Sequence, residues 1–585
     1  DYKKIDSYIA PENVPEILKT ADELLEKDIP MLTASLYREF ELNGNRTHYE
    51  NPYFLRKKMM AAFAFAEYAT HSGKYMQKLI DVVWDTLSLP TWGLPAHTSG
   101  NTASRPEGMQ ILQLPCDYKE EASFLDLFAA SMGAELAVVW FLLKDEFEKE
   151  VPFVINDRIL YEINRRLFEP YLKYTDYYWW AGKRTKYVNN WCPWIISNIL
   201  CAAALTCPDM EKRERITDTA LESLSVYMDT IKPEGGCDEG PGYWFDAGLS
   251  TFMSLLVVYD MTGGKLNFFG EPQLKNMAEY IMKMHISGNR FANFADCRLI
   301  FQRNYAAVSA FGKYTGSKAV CRWAQTMTSV SCLEDTDPGY RLFIELCTAP
   351  QKTQSPYVHE EVTAQADLGI AFLRNAHFYA AFKGGHNAES HNHNDVGSFI
   401  VYADGEPEII DVGNCVYTAQ TFGPRRYELM NTRSKNHNVP LVGGAEQIAG
   451  REHRACGVAA DENGARMELA GAYPEDAGVR SLVRTLSVSE NALELTDDVT
   501  LDAEKPVTFV FMLRHRPTVE NGQARFGRLR MTFDASLDVR TEEIPVTDAR
   551  MAGNFPGSVW RMTMTSGGAK EYHQKFVVRK APFQS

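Results

Sequence analysis

The spacing of apolar residues changes once along this chain, near residue 350, and that change limits the fold more than any other feature. Over about 13–347, apolar residues recur at helical spacing. One such stripe, which ends before Pro233, consists of Leu221, Leu224, Met228 and Ile231. The first portion is therefore predicted to be a series of helices, which could stack as hairpin pairs in a toroid or a solenoid.

After the change, short runs of β-branched and aromatic residues are separated by Gly, Asp and Asn turns, and these runs predict antiparallel strands. Examples are 398–402, 508–512 and 529–533. Because helices and strands are segregated, the sequence predicts an α+β multidomain fold and not an alternating α/β fold. We place a helical domain at 1–350 and a β domain at 356–585, with a boundary at 348–355. The β domain could itself divide into central and C-terminal parts.

The length and charge of the chain exclude several classes of protein. At 585 residues it is too long for one ordinary core, and about two to four domains are expected. A net charge of −15 argues against binding to nucleic acid or to anionic membranes, which requires a positive field. Apolar runs such as 136–143 are shorter than the ~20 residues that span a bilayer, so no transmembrane helix is predicted.

Cysteine usage bears on the compartment. Eleven cysteines without C-x-x-C spacing predict buried free thiols, and not a disulfide framework or a zinc knuckle. The chain begins at Asp1, without an initiator Met or an apolar signal core. We therefore expect a cytoplasmic protein, or a periplasmic or secreted one if a signal was removed.

Histidine is scarce, with 13 in 585 residues, yet His391 and His393 form an H-x-H-x-D pattern with Asp395. A loop need not keep the alternation of a strand, so one histidine can bind a metal while the other moves a proton. The alternative is a polar loop that happens to carry histidines. Several basic residues follow, either as a local anion site or as solvated strand edges: Arg425, Arg426, Arg433, Lys435, Arg451 and Arg454.

Two residues farther along the chain are predicted to approach this loop. The segment 399–411 is predicted to be a hairpin that turns at 404–405 and returns Asp411 to the level of 398 or 399. Two imidazoles and one carboxylate are a frequent zinc set, with a fourth position for water or another group. His437 is a candidate for that position, and a plain polar residue otherwise.

Two segments of the helical portion place polar groups at helix starts. Asn189 and Asn190 precede an apolar helix that has Pro193 in its first turn. The segment 239–245 follows a glycine-rich loop and opens a helix that runs to Tyr259. At both starts, free N–H groups and the helix dipole favour an anion such as a carboxylate. The alternative for each is a plain N-cap with an aromatic core anchor.

Together these residues resemble the heparinase II/III-like polysaccharide lyases, a family that includes alginate lyases. The motifs are, in order, Asn-Asn-Trp at 189–191, E-G-P-x-Y-W at 239–244, H-x-H-x-D at 391–395, Asp411, R-Y at 426–427 and H-N at 437–438. The resemblance covers about 120–480. It implies an N-terminal incomplete (α/α) toroid followed by an antiparallel β-sandwich.

The resemblance also implies a reaction, β-elimination on a uronic-acid-containing polysaccharide that yields a 4,5-unsaturated uronate. By motif matching, Asn190 would contact the substrate carboxylate, Tyr243 would donate a proton to the leaving oxygen, and His391 would be a base. A structural zinc ion would be held by His393, Asp411 and His437. The other expected substrate-binding residues are Trp191, Glu239, Trp244, Arg426 and Tyr427.

This chain departs from the family pattern at Trp191, where several members have His, so the carboxylate site has one donor fewer. The identity of the base also stays open between Tyr243 and His391. Syn elimination can use one tyrosine for both proton transfers, whereas anti elimination needs groups on opposite faces of the sugar.

Two other functions are alternatives. A metal-dependent hydrolase would also use H-x-H-x-D, but Val396 stands where metallo-β-lactamase-like sites usually have His. A non-catalytic carbohydrate-binding protein would stack sugars on Trp191 and Trp244, but the presence of all three lyase residues argues against it. We predict a lyase, with glycosaminoglycan favoured over alginate. Its expected partner is an anionic polysaccharide or oligosaccharide, with no nucleic acid and no membrane, and the oligomeric state stays open, a homodimer included.

Overall fold

The structure, a computed structural model, describes residues 8–98, 114–115, 125–184, 188–331, 333, 339–349, 357–461 and 464–581. It contains two compact units. The first comprises 1–231, 245–279 and 302–357, and the second comprises 232–244, 280–301 and 358–585. Two short segments of the helical portion thus belong to the same unit as the strands. The predicted boundary at 348–355 lies mostly outside the described residues.

Helices form where the sequence has helical spacing. In chain order they are α1 (Val14–Leu25), α2 (Ala34–Asn43), α3 (Thr47–Thr70), α4 (Met76–Leu87), α5 (Pro95–Thr98), α6 (Leu127–Glu150), α7 (Val154–Ile163), α8 (Glu169–Tyr174), α9 (Trp191–Thr206), α10 (Met210–Thr230), α11 (Pro241–Met261), α12 (Pro272–Met284), α13 (Ala306–Tyr314), α14 (Lys318–Thr326), α15 (Gly339–Cys347) and α16 (Ala549–Asn554). The predicted apolar stripe lies on α10, where Leu224 is buried, but Ile231 falls just beyond the helix end.

Helix α6 is the one helix of the described residues that is long and apolar enough to cross a membrane by length and composition. The sequence analysis considered only the run 136–143, because Glu135 interrupts the apolar residues of this helix. That carboxylate lies 3.3 Å from the ammonium group of Lys57, and both side chains are buried. Inside the protein, 78% of the most apolar window of α6 is buried, as in a core helix.

The strands in chain order are β1 (His285–Ser287), β2 (Arg290–Phe291), β3 (Val362–Gln365), β4 (Ile370–Arg374), β5 (Phe378–Lys383), β6 (His386–Asn387), β7 (Phe399–Ala403), β8 (Glu406–Ile409), β9 (Pro440–Val442), β10 (Gly450–Arg454), β11 (Cys456–Asp461), β12 (Gly464–Glu468), β13 (Val479–Val488), β14 (Ala492–Lys505), β15 (Val507–Leu513), β16 (Thr518–Glu520), β17 (Gln523–Phe526), β18 (Leu529–Thr532), β19 (Asp538–Pro545), β20 (Ser558–Thr565) and β21 (Ala569–Lys580). The three runs that the sequence analysis singled out lie in β7, β15 and β18.

Two large antiparallel sheets build the second unit. One has the strand order β11-β12-β13-β14-β21-β18-β17-β16, and the other has the order β19-β20-β15-β8-β7-β5-β4-β3, with β9 also paired to β15. Their facing side chains form one apolar core. In that core the rings of Phe511, on β15, and Phe576, on β21, lie 5.0 Å apart. The two sheets therefore form a β-sandwich.

The predicted hairpin is the connection between β7 and β8. Its turn residues Asp404 and Gly405 both have positive φ, 50° and 81°, as a two-residue hairpin turn of the right twist requires. The register pairs Val401 with Ile409, so position 411 lies at the level of 399, as predicted. The predicted fold class, helices followed by antiparallel strands, is confirmed.

The cysteines of the described residues are free thiols. Buried members are Cys192, Cys201, Cys207, Cys237 and Cys297, as the sequence predicted. Burial raises the pKa of Cys201 to about 12, which keeps its thiol protonated and unreactive.

Candidate active site

Most of the predicted site residues lie in the second unit. They are Glu239, Tyr243, Trp244, His391, His393, Asp411, Arg426, Tyr427 and His437. The short segment 232–244, contributed by the helical portion, brings Glu239 and Tyr243 into this unit. Asn190 and Trp191 lie in the first unit.

His393, Asp411 and His437 come together as the predicted metal group. One ligand atom from each lies within 4.8 Å of the others, and all three side chains are buried. His437 Nδ1 lies 3.0 Å from Asp411 Oδ2. Burial alone would raise the pKa of Asp411, but the neighbouring His437 and His393 lower it, so the carboxyl group stays ionised.

The donor set fits a metal ion such as zinc. His393 Nδ1 is buried and has no hydrogen-bond partner among the described residues. Such an orphaned nitrogen is uncommon in a folded interior unless it faces an ion or a water molecule. Two imidazoles and one ionised carboxylate are ligands that zinc prefers.

His391 does not join this group, although it is only two residues from His393. Its backbone is left-handed, with φ 57°, so the segment does not keep strand alternation. Its ring stacks on the ring of Tyr243, with centroids 4.2 Å apart and planes 24° apart. The ring of His391 therefore packs on Tyr243 while His393 joins Asp411 and His437, as the sequence analysis allowed.

Asp296 connects the two histidines, and sequence reasoning missed it. Its Oδ2 lies 3.1 Å from His391 Nδ1, and its Oδ1 lies 3.1 Å from His393 Nε2. Arg426 Nη2 donates to Oδ2 at 2.9 Å. Burial would raise the pKa of Asp296, but the hydrogen bonds from both histidines and the charge of Arg426 lower it well below its ordinary value. One buried carboxylate thus orients both histidines.

A second tyrosine, Tyr417, was also missed. Its hydroxyl group lies 2.7 Å from the hydroxyl group of Tyr243 and 3.3 Å from His391 Nδ1. On the other side of the imidazole, His391 Nε2 lies 3.4 Å from Glu239 Oε2. Burial and the proximity of Tyr417 raise the pKa of Tyr243 well above its ordinary value, so Tyr243 is a neutral phenol that can donate a proton.

The loop that carries the two histidines is fixed by a buried ammonium group. Lys383 Nζ lies 2.7 Å from Asp395 Oδ1 and 3.4 Å from Glu389 Oε2, and these two acidic residues flank His391 in sequence. Burial raises the pKa of Glu389 to about 7 even though Lys383 lowers it. Gly385 has φ 75°, and a Cβ there would come within 1.9 Å of the Glu389 carboxylate. The loop is therefore tied down on both sides of His391.

Three of the predicted substrate-binding residues have side chains that contact other parts of the protein. The Arg426 side chain donates to Asp296, to Asn392 O at 3.0 Å and to Thr421 O at 2.8 Å, and so it supports the loop. Tyr427 donates to the Asn392 side chain at 2.9 Å. Trp244 is fully buried. A sugar has no exposed face of Trp244 to stack on, so the prediction for that residue is corrected to a core role.

In the first unit, helix α9 begins at Trp191 with Pro193 in its first turn, as predicted. Asn190 stands at its N-cap and is 2% exposed. The ring of Trp191 lies 5.3 Å from that of Trp179 and 4.8 Å from that of His97. In the second predicted segment, α11 begins at Pro241 and extends slightly beyond Tyr259.

Comparisons with known proteins bear on the fold of the chain. Residues 359–567 match the family model described as "Heparinase II/III-like, C-terminal". The chain is similar to a solved structure of heparinase III, with 14% identity, a TM-score of 0.63, and coverage of 91% of this chain and 77% of that chain. A comparison with curated proteins finds no match.

Two further solved structures are similar. For the heparan sulfate lyase HepC from Pedobacter heparinus, the identity is 12%, the TM-score is 0.58, and the coverage is 99% of this chain and 85% of that chain. For a chondroitin AC lyase of Streptomyces coelicolor A3 in complex with chondroitin sulphate, the identity is 10%, the TM-score is 0.52, and the coverage is 98% of this chain and 81% of that chain. At such identities the likeness concerns the fold, and it confirms the toroid followed by a β-sandwich.

Proposed function

We propose that the protein is a polysaccharide lyase that acts on uronate-containing glycans, because residues 359–567 match the heparinase II/III-like C-terminal family model. The observation that carries the proposal is the stacked pair of Tyr243 and His391, at 4.2 Å, with Asp296 and Glu239 on the two nitrogens of the imidazole. Such an arrangement can remove one proton and deliver another within a single small space.

Each residue then has a chemical role. His391 removes the C5 proton, and a proton taken up at Nε2 is stabilised by the Glu239 carboxylate 3.4 Å away. Asp296 fixes the ring through Nδ1. Tyr243 delivers a proton to the leaving C4 oxygen, which its raised pKa supports because the phenol stays protonated. Asn190, in the first unit, keeps the role that the motif match implies, contact with the substrate carboxylate where negative charge develops.

We assign the metal group a structural role. His393, Asp411 and His437 would hold one zinc ion, which supplies positive charge that ties the loop to the sheet. Because Asp296 contacts both His393 and His391, a fixed His393 also fixes the base. No proton transfer in this scheme passes through the metal.

The stacking of the two rings also bears on the sugar. Groups that stack face to face approach the substrate from one side, which favours syn elimination. The C5 proton and the C4 oxygen lie on the same face in glucuronate and on opposite faces in iduronate. We therefore propose a glycosaminoglycan whose cleaved uronate is glucuronate, with alginate as the competing polymer.

A polymer screen tests this proposal. Purified protein is incubated with hyaluronan, chondroitin, heparan sulfate, an iduronate-rich glycosaminoglycan and alginate, and ultraviolet absorbance of the unsaturated product is followed. We expect absorbance from a glucuronate polymer, none from the Tyr243→Phe variant, and little from the iduronate-rich polymer. Activity confined to alginate would show that the substrate is alginate and not a glycosaminoglycan. Absence of the chromophore with every polymer would refute the proposal that the protein is a lyase.

A further inference from the structure

Phe422 is an exposed aromatic residue at the edge of the proton-transfer cluster. It is 58% exposed, whereas most large apolar side chains of the second unit are packed into the sandwich core. Leaving a phenyl ring in water forfeits the hydrophobic stabilisation that its burial would give. Single exposed apolar side chains are common on protein surfaces, and what distinguishes Phe422 is that its ring contacts the ring of His391.

The ring is held in a fixed place. Phe422 ends the short 3₁₀ helix Ala419–Phe422, whose start is closed by reciprocal hydrogen bonds between Thr418 and Thr421. Its edge contacts are perpendicular: the ring lies 5.1 Å from that of Tyr417, at 70°, and 5.5 Å from that of His391, at 89°. Contacts of this kind restrict the orientation of the ring, and the side chain is still 58% exposed.

The positive charge beside the Phe422 ring already has hydrogen-bond partners within the protein. The guanidinium group of Arg426 lies 5.9 Å from the Phe422 centroid, but it bonds Asp296 and two backbone carbonyl groups. What Phe422 itself offers is an apolar face, and the apolar surface of a sugar is the carbon–hydrogen face of its ring. The 5.5 Å between Phe422 and the proposed base is close to the length of one pyranose residue.

We infer that Phe422 is a stacking platform for the hexosamine ring that adjoins the cleaved uronate. This inference rests on the proposed function, because it takes His391 as the group that marks the cleaved uronate. In a glycosaminoglycan the neighbour of a uronate is a hexosamine, whose ring carries no carboxylate, whereas in alginate every neighbour carries one. The apolar ring of Phe422 suits a hexosamine better than a second uronate, because the nearby guanidinium group of Arg426 is already paired with Asp296.

Binding is measured by calorimetry with a glucuronate–hexosamine tetrasaccharide and with an alginate tetrasaccharide. All proteins carry Tyr243→Phe, so that binding is read without turnover. Adding Phe422→Ala should weaken binding of the hexosamine-containing sugar about tenfold, as loss of one well-placed aromatic contact does. Adding Phe422→Trp should keep the affinity. The matched control is Tyr161→Ala on α7, which removes another ring that is 59% exposed and should leave the affinity unchanged.

Three results would overturn the inference: equal affinity with and without the Phe422 ring, an equal loss in the Tyr161→Ala control, or a loss that is as large for the alginate tetrasaccharide. Because Phe422 is exposed, its replacement should not affect folding, and a melting curve checks that. Failure of the proposed function is seen separately, as absence of unsaturated product from the unmodified protein.

Discussion

The imidazole of His391 lies face to face with the phenol ring of Tyr243, with the two centroids 4.2 Å apart. The two residues are far apart in sequence, because Tyr243 lies in the first turn of α11 and His391 lies in the loop before β7. Both lie in one unit because the segment 232–244, which carries Tyr243, belongs to the same unit as the strands. Proton transfer by the pair is the basis of the proposed reaction.

Replacing Tyr243 by Phe keeps the ring and its stacking but removes the transferable proton. We expect turnover to fall by about 10²-fold or more, the usual scale for an acid–base group, with the melting temperature little changed. The control is Tyr161→Phe, at an exposed tyrosine of α7. A Tyr243→Phe variant with a near-normal rate would remove this residue from the mechanism.

The sequence predicted more of the fold than of the site. Periodicity predicted the helices and strands, and turn chemistry predicted the β7–β8 hairpin that brings Asp411 back. Asp296 was missed because it is 95 residues from His391 and stands in a loop without a pattern. Trp244 was misassigned because successive residues of a helix point about 100° apart, so it turns into the core beside the half-buried Tyr243.

Metal removal should loosen the loop. Chelation, or replacement of His393 by Ala, should lower the melting temperature, because a ligand that binds only the folded state stabilises it by mass action. Activity should fall with it, since Asp296 links His393 to His391. His573→Ala, at an exposed histidine, serves as the control. Elemental analysis should find about one zinc per chain, and metal-free protein with unchanged melting and activity would refute the site.

Lys383 should contribute strongly to stability because it neutralises two buried carboxylates. Lys383→Met leaves Asp395 and Glu389 without their cation, and we expect unfolding free energy to fall by about 3–5 kcal/mol. The control is Arg480→Met, which breaks an exposed pair with Asp502 and should change stability by less than about 1 kcal/mol. Urea unfolding measures both, and equal small effects would mean that the ammonium group does not hold the loop.

A partly buried histidine pair should make the protein less stable in acid. His285 Nδ1 lies 2.9 Å from His359 Nε2, and burial lowers the pKa of His285 to about 4 and that of His359 to about 2. The unfolded chain therefore binds protons below about pH 6.5 that the folded chain does not. The free energy of unfolding is therefore highest above that pH and falls as the pH is lowered toward 4. His359→Gln should flatten the decline in urea midpoints, and an unchanged decline would contradict this account.

The distinction between elimination and hydrolysis is the central claim, and heavy-oxygen water tests it directly. Elimination breaks the C4–oxygen bond without adding water, whereas hydrolysis adds one oxygen atom from the solvent to the products. A glucuronate–hexosamine oligosaccharide is digested in water enriched in heavy oxygen, and the fresh products are weighed by mass spectrometry. We predict an unsaturated uronate end with no solvent oxygen incorporated during cleavage. Saturated products that carry one heavy oxygen per cleaved bond would contradict the lyase and support the metal-dependent hydrolase.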